Sequence, residues 1–168
     1  KIKWGIEAVK SVKGRMEKVA EQNGVKYYID YAMTPDSYEM LFAEMRQIAK
    51  GKVIAVFGAA GDRDRAKRPL IGEVAARMAD YTILTDDEPY SEDPKQIIAE
   101  IEAGFKKTGS QQYTVIHDRK AAFREAAKMA RAGDVVVVPG IGHQAYRNVG
   151  GNKKIVWDEA EIIRKSIS

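Results

Sequence analysis

The sequence predicts an α/β fold with a mostly parallel sheet and helices on both faces. Short β-rich runs alternate with helical patterns at the spacing of βαβ units. One run, Val135-Val136-Val137-Val138, is continuously apolar, which is typical of a strand covered on both faces. The 168 residues, 45% of them hydrophobic and 31% charged, suit one globular domain with its own core.

Five predicted strands share an enrichment in Val, Ile, Tyr and Phe, the residues that favour a pleated, half-buried surface. They span residues 26–32, 53–59, 81–85, 113–118 and 134–139. A further short strand at 154–157 and a helix at 158–165 close the chain. The first 25 residues fit this alternation least.

Four helices are predicted between the strands from apolar residues that recur at spacings of three and four. The first begins at Pro35, directly after a threonine that can cap it. The second follows Pro69, with Leu70 among its inward-facing residues. The other two begin after Asp93 and Asp118, which are good N-cap residues.

Composition and charge exclude several classes of protein. The net charge of +4 is mild and the cations are mostly spread, so we expect no nucleic-acid partner. The absence of cysteine excludes disulfides, thiolate metal sites and cysteine nucleophiles. Without an apolar run of about 18 residues or a secretory signal, we expect no membrane partner and a cytoplasmic location. Because the chain begins with Lys1, we expect it to be a fragment.

Two strand ends carry candidate binding residues, since ligands of parallel α/β sheets bind at the carboxyl ends of the strands. Asp30 lies near the end of the first predicted strand and either contacts a ribose hydroxyl or caps the turn. A glycine-containing loop at 58–69 follows the second strand. Four cations in six residues lie on it, at Arg63, Arg65, Lys67 and Arg68. They either bind an anion or are neutralised by the neighbouring aspartates.

Two further strand ends are acidic or glycine-rich. Residues 86–94 hold five acids, all within the eight positions 86–93. These acids either bind an ammonium group or a metal, or act as solvated caps. Residues 140–144 hold two glycines, which let a ligand approach the backbone, and His143, either a site residue or a structural one. The chain has no Walker A loop, no Gly-x-Gly-x-x-Gly motif and no catalytic triad.

Together, these segments resemble the C-terminal domain of the Mur ligases, most closely the MurE-type, tripeptide-forming branch. Five motifs in the family's order carry the resemblance: Gly14-Arg15-Met16-Glu17, Asp30-Tyr31-Ala32-x-Thr34-Pro35-Asp36-Ser37, Gly61-Asp62-Arg63-Asp64-x-x-Lys67-Arg68-Pro69, Asp87-x-Pro89-x-Ser91-Glu92-Asp93-Pro94 and Gly140-x-Gly142-His143. The resemblance implies a Rossmann-like Mur ligase C-terminal domain at residues 26–168. Residues 1–25 would be the tail of a preceding central, ATP-binding domain, or a linker.

The resemblance also implies a function, the amino-acid-binding domain of an ATP-dependent ligase in peptidoglycan synthesis. In that family ATP phosphorylates the carboxylate of UDP-N-acetylmuramoyl-dipeptide, and the amine of a free amino acid attacks the acyl phosphate to form an amide. The implied cofactors are ATP and Mg²⁺, with the phosphate loop and most metal ligands in the central domain. The N-terminal and central domains would be this chain's partners, so we expect the 168 residues alone to be inactive.

The resemblance implies roles for nine residues, none of them catalytic and none a metal ligand. It places Arg15 and Asp30 at the nucleotide. It places the incoming amino acid against Arg63, Asp87, Glu88, Pro89, Tyr90, Gly140 and Gln144.

Several positions depart from the family pattern. Met33 stands where the family has a histidine, and a thioether cannot donate a hydrogen bond to phosphate. Glu88 and Tyr90 stand where diaminopimelate-adding enzymes have asparagine and arginine, while Ile141 and Gln144 replace lysine and glutamate. We therefore predict that meso-diaminopimelate is not recognised in the usual way. Glu88 could instead bind an ammonium group, which favours lysine or another diamino acid.

Two alternatives remain open from the sequence. One is a Mur-like ligase that acts on folate, cyanophycin or pseudomurein precursors. The other is a non-catalytic α/β binding module.

Overall fold

The computed structural model describes residues 12–151 and 153–167. They form a six-stranded sheet with helices on both faces and a separate two-stranded hairpin. The strands are β1 (Glu17–Gln22), β2 (Val25–Asp30), β3 (Val53–Phe57), β4 (Tyr81–Leu84), β5 (Tyr113–Val115), β6 (Val135–Pro139), β7 (Tyr146–Asn148) and β8 (Lys154–Val156). The helices are α1 (Pro35–Ile48), α2 (Lys67–Met78), α3 (Pro94–Thr108), α4 (Arg119–Met129) and α5 (Glu159–Ile167).

The main sheet has the order β1-β2-β6-β3-β4-β5. β1 is antiparallel to β2, and every other neighbouring pair is parallel. The predicted α/β class with a mostly parallel sheet is thus confirmed. The strand predicted at 154–157 forms as β8, but it pairs antiparallel with β7 outside the main sheet.

Two strands, β1 and β7, were not predicted. β1 lies inside residues 1–25, the stretch assigned to a preceding domain or linker, and it forms one edge of the main sheet. Residues 1–11 of that stretch lie outside the described residues, so the boundary at residue 26 stays a prediction. β7 escaped notice because it has only three residues, Tyr-Arg-Asn, without an apolar alternation.

The core has two layers, one on each face of the sheet. On one face α1, α2 and α3 bury residues such as Phe42, Val74 and Ile101 against the strands. On the other face α4 and α5 bury Phe123 and Ile163. The four valines of β6 face both layers in turn and are at most 2% exposed, as their continuous apolar run predicts.

The start of α2 corrects one detail of the sequence analysis. The helix begins at Lys67, so Pro69 lies in its first turn, where a missing amide hydrogen is tolerated. Leu70, predicted to face inward, is 45% exposed, whereas Ile71 and Val74 are buried. No helix among the described residues is long and apolar enough to cross a membrane.

The arrangement of the helices opens a crevice at the carboxyl end of the sheet. The chain leaves β2, β3 and β4 toward helices on one face, whereas it leaves β6 toward the hairpin and α5, which packs on the other. Such a switch in direction is where open α/β sheets bind ligands. The amide of Gly140 donates to the carbonyl of Asp30 at 3.0 Å, which joins the ends of β6 and β2 at this point.

Candidate functional site

A cavity of about 200 Å³ lies at the carboxyl ends of the parallel strands. Loops that follow β2, β3, β4 and β6 all contribute to its wall. Six of the seven predicted amino-acid-binding residues line it: Arg63, Asp87, Glu88, Tyr90, Gly140 and Gln144. The seventh, Pro89, lies in the same loop but lines a different depression on its outer side. The structure thus brings these residues together, and their binding role stays a prediction.

Two buried carboxylates form one side of the cavity. Asp87 and Glu88 are each only 7% exposed. Burial raises the pKa of Asp87, and the nearest guanidinium nitrogen, Arg119 Nη1, lies 3.9 Å from its Oδ2. Gly140 has φ +117° and leaves room for this carboxylate, because a Cβ there would lie 2.6 Å from Asp87 Oδ2.

Glu88 is fixed by its neighbours. Its Oε1 accepts a hydrogen bond from the amide of Asn148 at 2.8 Å. Its Oε2 accepts longer ones from the hydroxyl of Tyr90 at 3.3 Å and the side-chain amide of Gln144 at 3.5 Å. Two carboxylates that face a cavity in this way suit a ligand that carries an ammonium group.

Two cationic side chains, Arg63 and Lys67, also line the cavity. The guanidinium of Arg63 is exposed and lies 5.2 Å from the centre of the Tyr90 ring, in cation–π contact. Lys67 is half-buried, and this burial lowers the pKa of its amine. Neither has an ion-pair partner within the described part of the chain. The sequence analysis counts Lys67 among four possible anion-binding cations, but the family resemblance assigns it no role.

The loop after β3 packs tightly on the loop after β4. Gly61 makes this possible, because a Cβ at its position would lie 1.9 Å from the carbonyl oxygen of Pro89. The hydroxyl of Ser91 donates to Asp62 Oδ1 at 2.6 Å across the contact. Asp62 and Tyr90 both have left-handed backbones, with φ of 53° and 50°, a strained conformation that recurs at functional sites.

Arg68 fastens the same two loops from inside. Its guanidinium is 0% exposed and makes a bidentate pair with Glu92, at 2.7 and 2.8 Å. It also pairs with Glu100 at 2.7 Å and donates to the carbonyl of Ala60 at 3.1 Å. Arg65 pairs with Glu100 from the surface. Of the four cations in this segment, Arg65 and Arg68 therefore stabilise the structure through ion pairs with acids in α3 or just before it. Arg63 and Lys67 line the cavity.

The other acids of the loop after β4 are structural. Asp86 lies 2.7 Å from His117, and Asp93 caps α3 by accepting from the amide of Lys95. The position of this acidic segment divides its members, and an ammonium-binding role for those at the cavity stays a prediction. Asp87 and Glu88 face the cavity, and the remaining three stabilise the loop.

Glu92 predicts a pH dependence of stability. The hydrogen bonds from Arg68 hold the pKa of the Glu92 carboxyl down to about 2, from an ordinary value of 4.5. Because the folded-state pKa is depressed, this carboxylate stabilises the fold fully above pH 4.5 and loses that effect as the pH falls toward 2. We expect Glu92→Gln to flatten the decline of the thermal unfolding midpoint over this window. Glu21→Gln, in an exposed pair with Lys18, is the matched control and should keep the wild-type slope; an unchanged slope for Glu92→Gln would refute the assignment.

The two predicted nucleotide-binding residues lie beside the cavity and not in its wall. Asp30 is 8% exposed, and its Oδ2 accepts from the amide of Met16 at 2.8 Å. The exposed guanidinium of Arg15 donates to the carbonyl of Tyr31 at 3.2 Å and lies 5.3 Å from that ring. His143 is exposed and also lies near Tyr31, with ring centres 5.8 Å apart.

These residues can hold only part of an ATP–magnesium complex. The carboxylate of Asp30 and the guanidinium of Arg15 fit ribose hydroxyls, but the chain contains no Walker A loop for the phosphates. Within residues 12–151 and 153–167, no cluster of three or more acidic or histidine side chains could hold a metal ion. The phosphates and the metal therefore need groups that the described residues do not supply.

Comparison with known proteins agrees with the motifs. A family described as "Mur ligase, glutamate ligase domain" matches residues 14–142. The UDP-N-acetylmuramoyl-L-alanyl-D-glutamate–2,6-diaminopimelate ligase of Caldanaerobacter subterraneus subsp. tengcongensis is 46% identical over 158 residues, which cover 94% of this chain. The UDP-N-acetylmuramyl-tripeptide synthetase of a Roseiflexus species is 43% identical over 166 residues, which cover 97%.

A solved structure of a UDP-N-acetylmuramoyl-L-alanyl-D-glutamate–2,6-diaminopimelate ligase superposes with a TM-score of 0.85 at 35% identity, covering 95% of this chain. The chain spans about a third of the length of each of these relatives, 32% in all three comparisons.

Proposed function

We propose that this chain, which belongs to the Mur ligase family and matches its glutamate ligase domain, binds the incoming amino acid in an ATP-dependent ligase of peptidoglycan synthesis. The observation that carries the proposal is the cavity of about 200 Å³, with two buried carboxylates in its wall and two cations that have no ion-pair partner among the described residues. A free amino acid has the complementary pair of charges. The rest of the ligase would consist of N-terminal and central domains, and the acceptor would be UDP-N-acetylmuramoyl-dipeptide.

The chain's part in the reaction is to bind and orient. Arg63 suits the α-carboxylate, since a guanidinium fork matches a carboxylate, and Lys67 adds a second cation. Asp87 and Glu88 suit ammonium groups of the same ligand. With both ends held, the amine is fixed relative to the acceptor, and such positioning supplies much of the rate of a two-substrate reaction.

Nucleotide contacts come from the edge of the cavity. When bound, ATP with Mg²⁺ supplies the phosphoryl group that activates the acceptor carboxylate. In this chain Arg15 and Asp30 would hold the ribose. Such a ligase would work in the cytoplasm, where nucleotide is available. The isolated chain should show no ATP-dependent amide formation, because it lacks a phosphate loop.

The loop after β4 favours an amino acid whose side chain ends in an ammonium group, such as lysine. Glu88, Tyr90 and Gln144 are linked to one another at this place, and none of them carries a positive charge. A distal carboxylate would face the buried oxygens of Glu88, whereas an ammonium group would be attracted to them.

The choice of amino acid is tested in the complete ligase by measuring kcat/KM for L-lysine and for meso-diaminopimelate. We expect L-lysine to be preferred and Tyr90→Arg, which adds a cation beside Glu88, to shift the preference toward meso-diaminopimelate. Efficient use of meso-diaminopimelate alone by the wild-type enzyme would contradict this choice.

The second candidate is meso-diaminopimelate itself. It is favoured by Lys67, a second cavity cation without an ion-pair partner among the described residues, and by the similarity of the chain to two diaminopimelate ligases. A ligase for folate, cyanophycin or pseudomurein precursors, or a binding module without catalysis, is less favoured. ADP release that depends on both UDP-N-acetylmuramoyl-dipeptide and an amino acid supports the proposed function, and its absence from a folded complete enzyme would refute it.

A further inference from the structure

A buried arginine on the hairpin supports the loop that carries the two cavity carboxylates. Arg147, in β7, is 8% exposed. Its Nε donates to the carbonyl oxygen of Asp87 at 2.8 Å, and its Nη2 donates to that of Asp86 at 2.9 Å. One planar guanidinium therefore fixes two consecutive peptide groups of the loop after β4 from the side opposite the cavity.

The next residue of the same strand extends this contact. The amide of Asn148 donates to Glu88 Oε1 at 2.8 Å, and Asn148 is 2% exposed. Two successive residues of β7 thus hold three successive residues of the loop, 86–88. The side chains of Asp87 and Glu88 project from this supported backbone into the cavity wall.

Arg147 is itself held by a second layer of contacts. Its guanidinium lies 4.9 Å from the centre of the Trp157 ring. The indole nitrogen of Trp157 donates to Glu159, which is paired with the buried Arg119. Arg119 in turn donates to the carbonyl of Asp86 at 3.3 Å, so the network returns to the loop.

The free-energy cost of burying the charge of Arg147 indicates that this residue serves to fix the geometry of the loop. It makes no ion pair with any described carboxylate, and its donors go to backbone carbonyl oxygens. Burying an unpaired charge is costly, and an apolar side chain of similar volume would fill the space at a lower free-energy cost. What an apolar side chain could not do is fix the two carbonyls in one orientation.

We propose that Arg147 is a positioning residue that sets the affinity for the incoming amino acid by holding the loop from which Asp87 and Glu88 reach the cavity. The inference rests on the proposed function of the cavity. Arg147 acts through the loop and does not line the cavity itself.

The test is Arg147→Lys in the complete ligase, since lysine keeps the charge but cannot form the two-point contact. We expect the KM for the amino acid to rise about tenfold or more, because small misplacements of binding groups have large effects. The KM for ATP and the thermal unfolding midpoint should stay close to the wild-type values. Arg131→Lys is the matched control, since Arg131 also donates to backbone carbonyls but lies at the end of α4.

An unchanged amino-acid KM in folded Arg147→Lys would overturn the inference. So would equal rises in the KM for ATP and for the amino acid, which would indicate a general structural effect. If Arg147→Lys does not fold, Arg147→Gln, which buries no charge, is expected to show the same selective rise in KM, and a wild-type KM would count against the inference. A wild-type ligase without amino-acid-dependent turnover would instead refute the proposed function.

Discussion

Arg68→Met is expected to lower the free energy of unfolding of the chain by about 3–5 kcal/mol, the usual effect of removing one partner of a buried ion pair. Arg68 is 0% exposed, and its guanidinium joins Glu92, Glu100 and the carbonyl of Ala60. Methionine fills most of the space but leaves Glu92 without its bidentate cation and Glu100 with the exposed Arg65. The start of α2 then loses its buried ion pair with α3.

Urea unfolding, followed by circular dichroism at neutral pH, measures this effect. The matched control is Arg65→Met, which removes an exposed partner of the same Glu100. Exposed pairs contribute about 0–1 kcal/mol, so the control should be nearly neutral. Equal, small losses for both variants would show that burial does not distinguish the two arginines.

Arg63→Ala in the complete ligase is expected to raise the KM for the amino acid with little effect on kcat. The loss of one charge-assisted hydrogen-bonded contact is about 1.5–3 kcal/mol, or roughly 10- to 150-fold. The guanidinium is exposed at the cavity, has no carboxylate partner among the described residues, and contacts the Tyr90 ring and the carbonyl of Asp62. It is therefore available to a ligand.

Steady-state kinetics with varied amino acid and saturating ATP measures the change. Arg65→Ala again serves as the control, because Arg65 lies two residues away but is engaged with Glu100. An unchanged KM in Arg63→Ala would assign Arg63 to the structural residues of the loop.

The sequence predicts the parallel sheet well because its strands are buried on both faces. Val135-Val136-Val137-Val138 has no other plausible environment, and helix caps such as Thr34 mark where the chain reverses. β1 and β7 were missed because edge and hairpin strands keep polar residues on an open face. The inward placement of Leu70 was wrong because Ile71, Val74 and Ala75 form the buried stripe of α2, and Leu70 lies at the edge of that stripe.

The sequence predicts which loops form the candidate site, but it does not predict which side chains of those loops face the cavity and which stabilise the structure. The order of the motifs predicts that Arg63, Asp87 and Gly140 lie at one site, and the structure places all three in the cavity wall. The difference between Arg63 and Arg68 depends on Glu92 and Glu100, which approach from α3 and the residues just before it. The buried position of Arg147 likewise depends on a tertiary contact with a loop 60 residues earlier in sequence.

A crystal structure of the complete ligase with the amino acid and a nonhydrolysable ATP analogue tests the central claim most directly. The account predicts the α-carboxylate of the amino acid within hydrogen-bond distance of Arg63 and an ammonium group beside Asp87 or Glu88. An amino acid bound away from these side chains, with the cavity at the strand ends closed to it, would contradict the account.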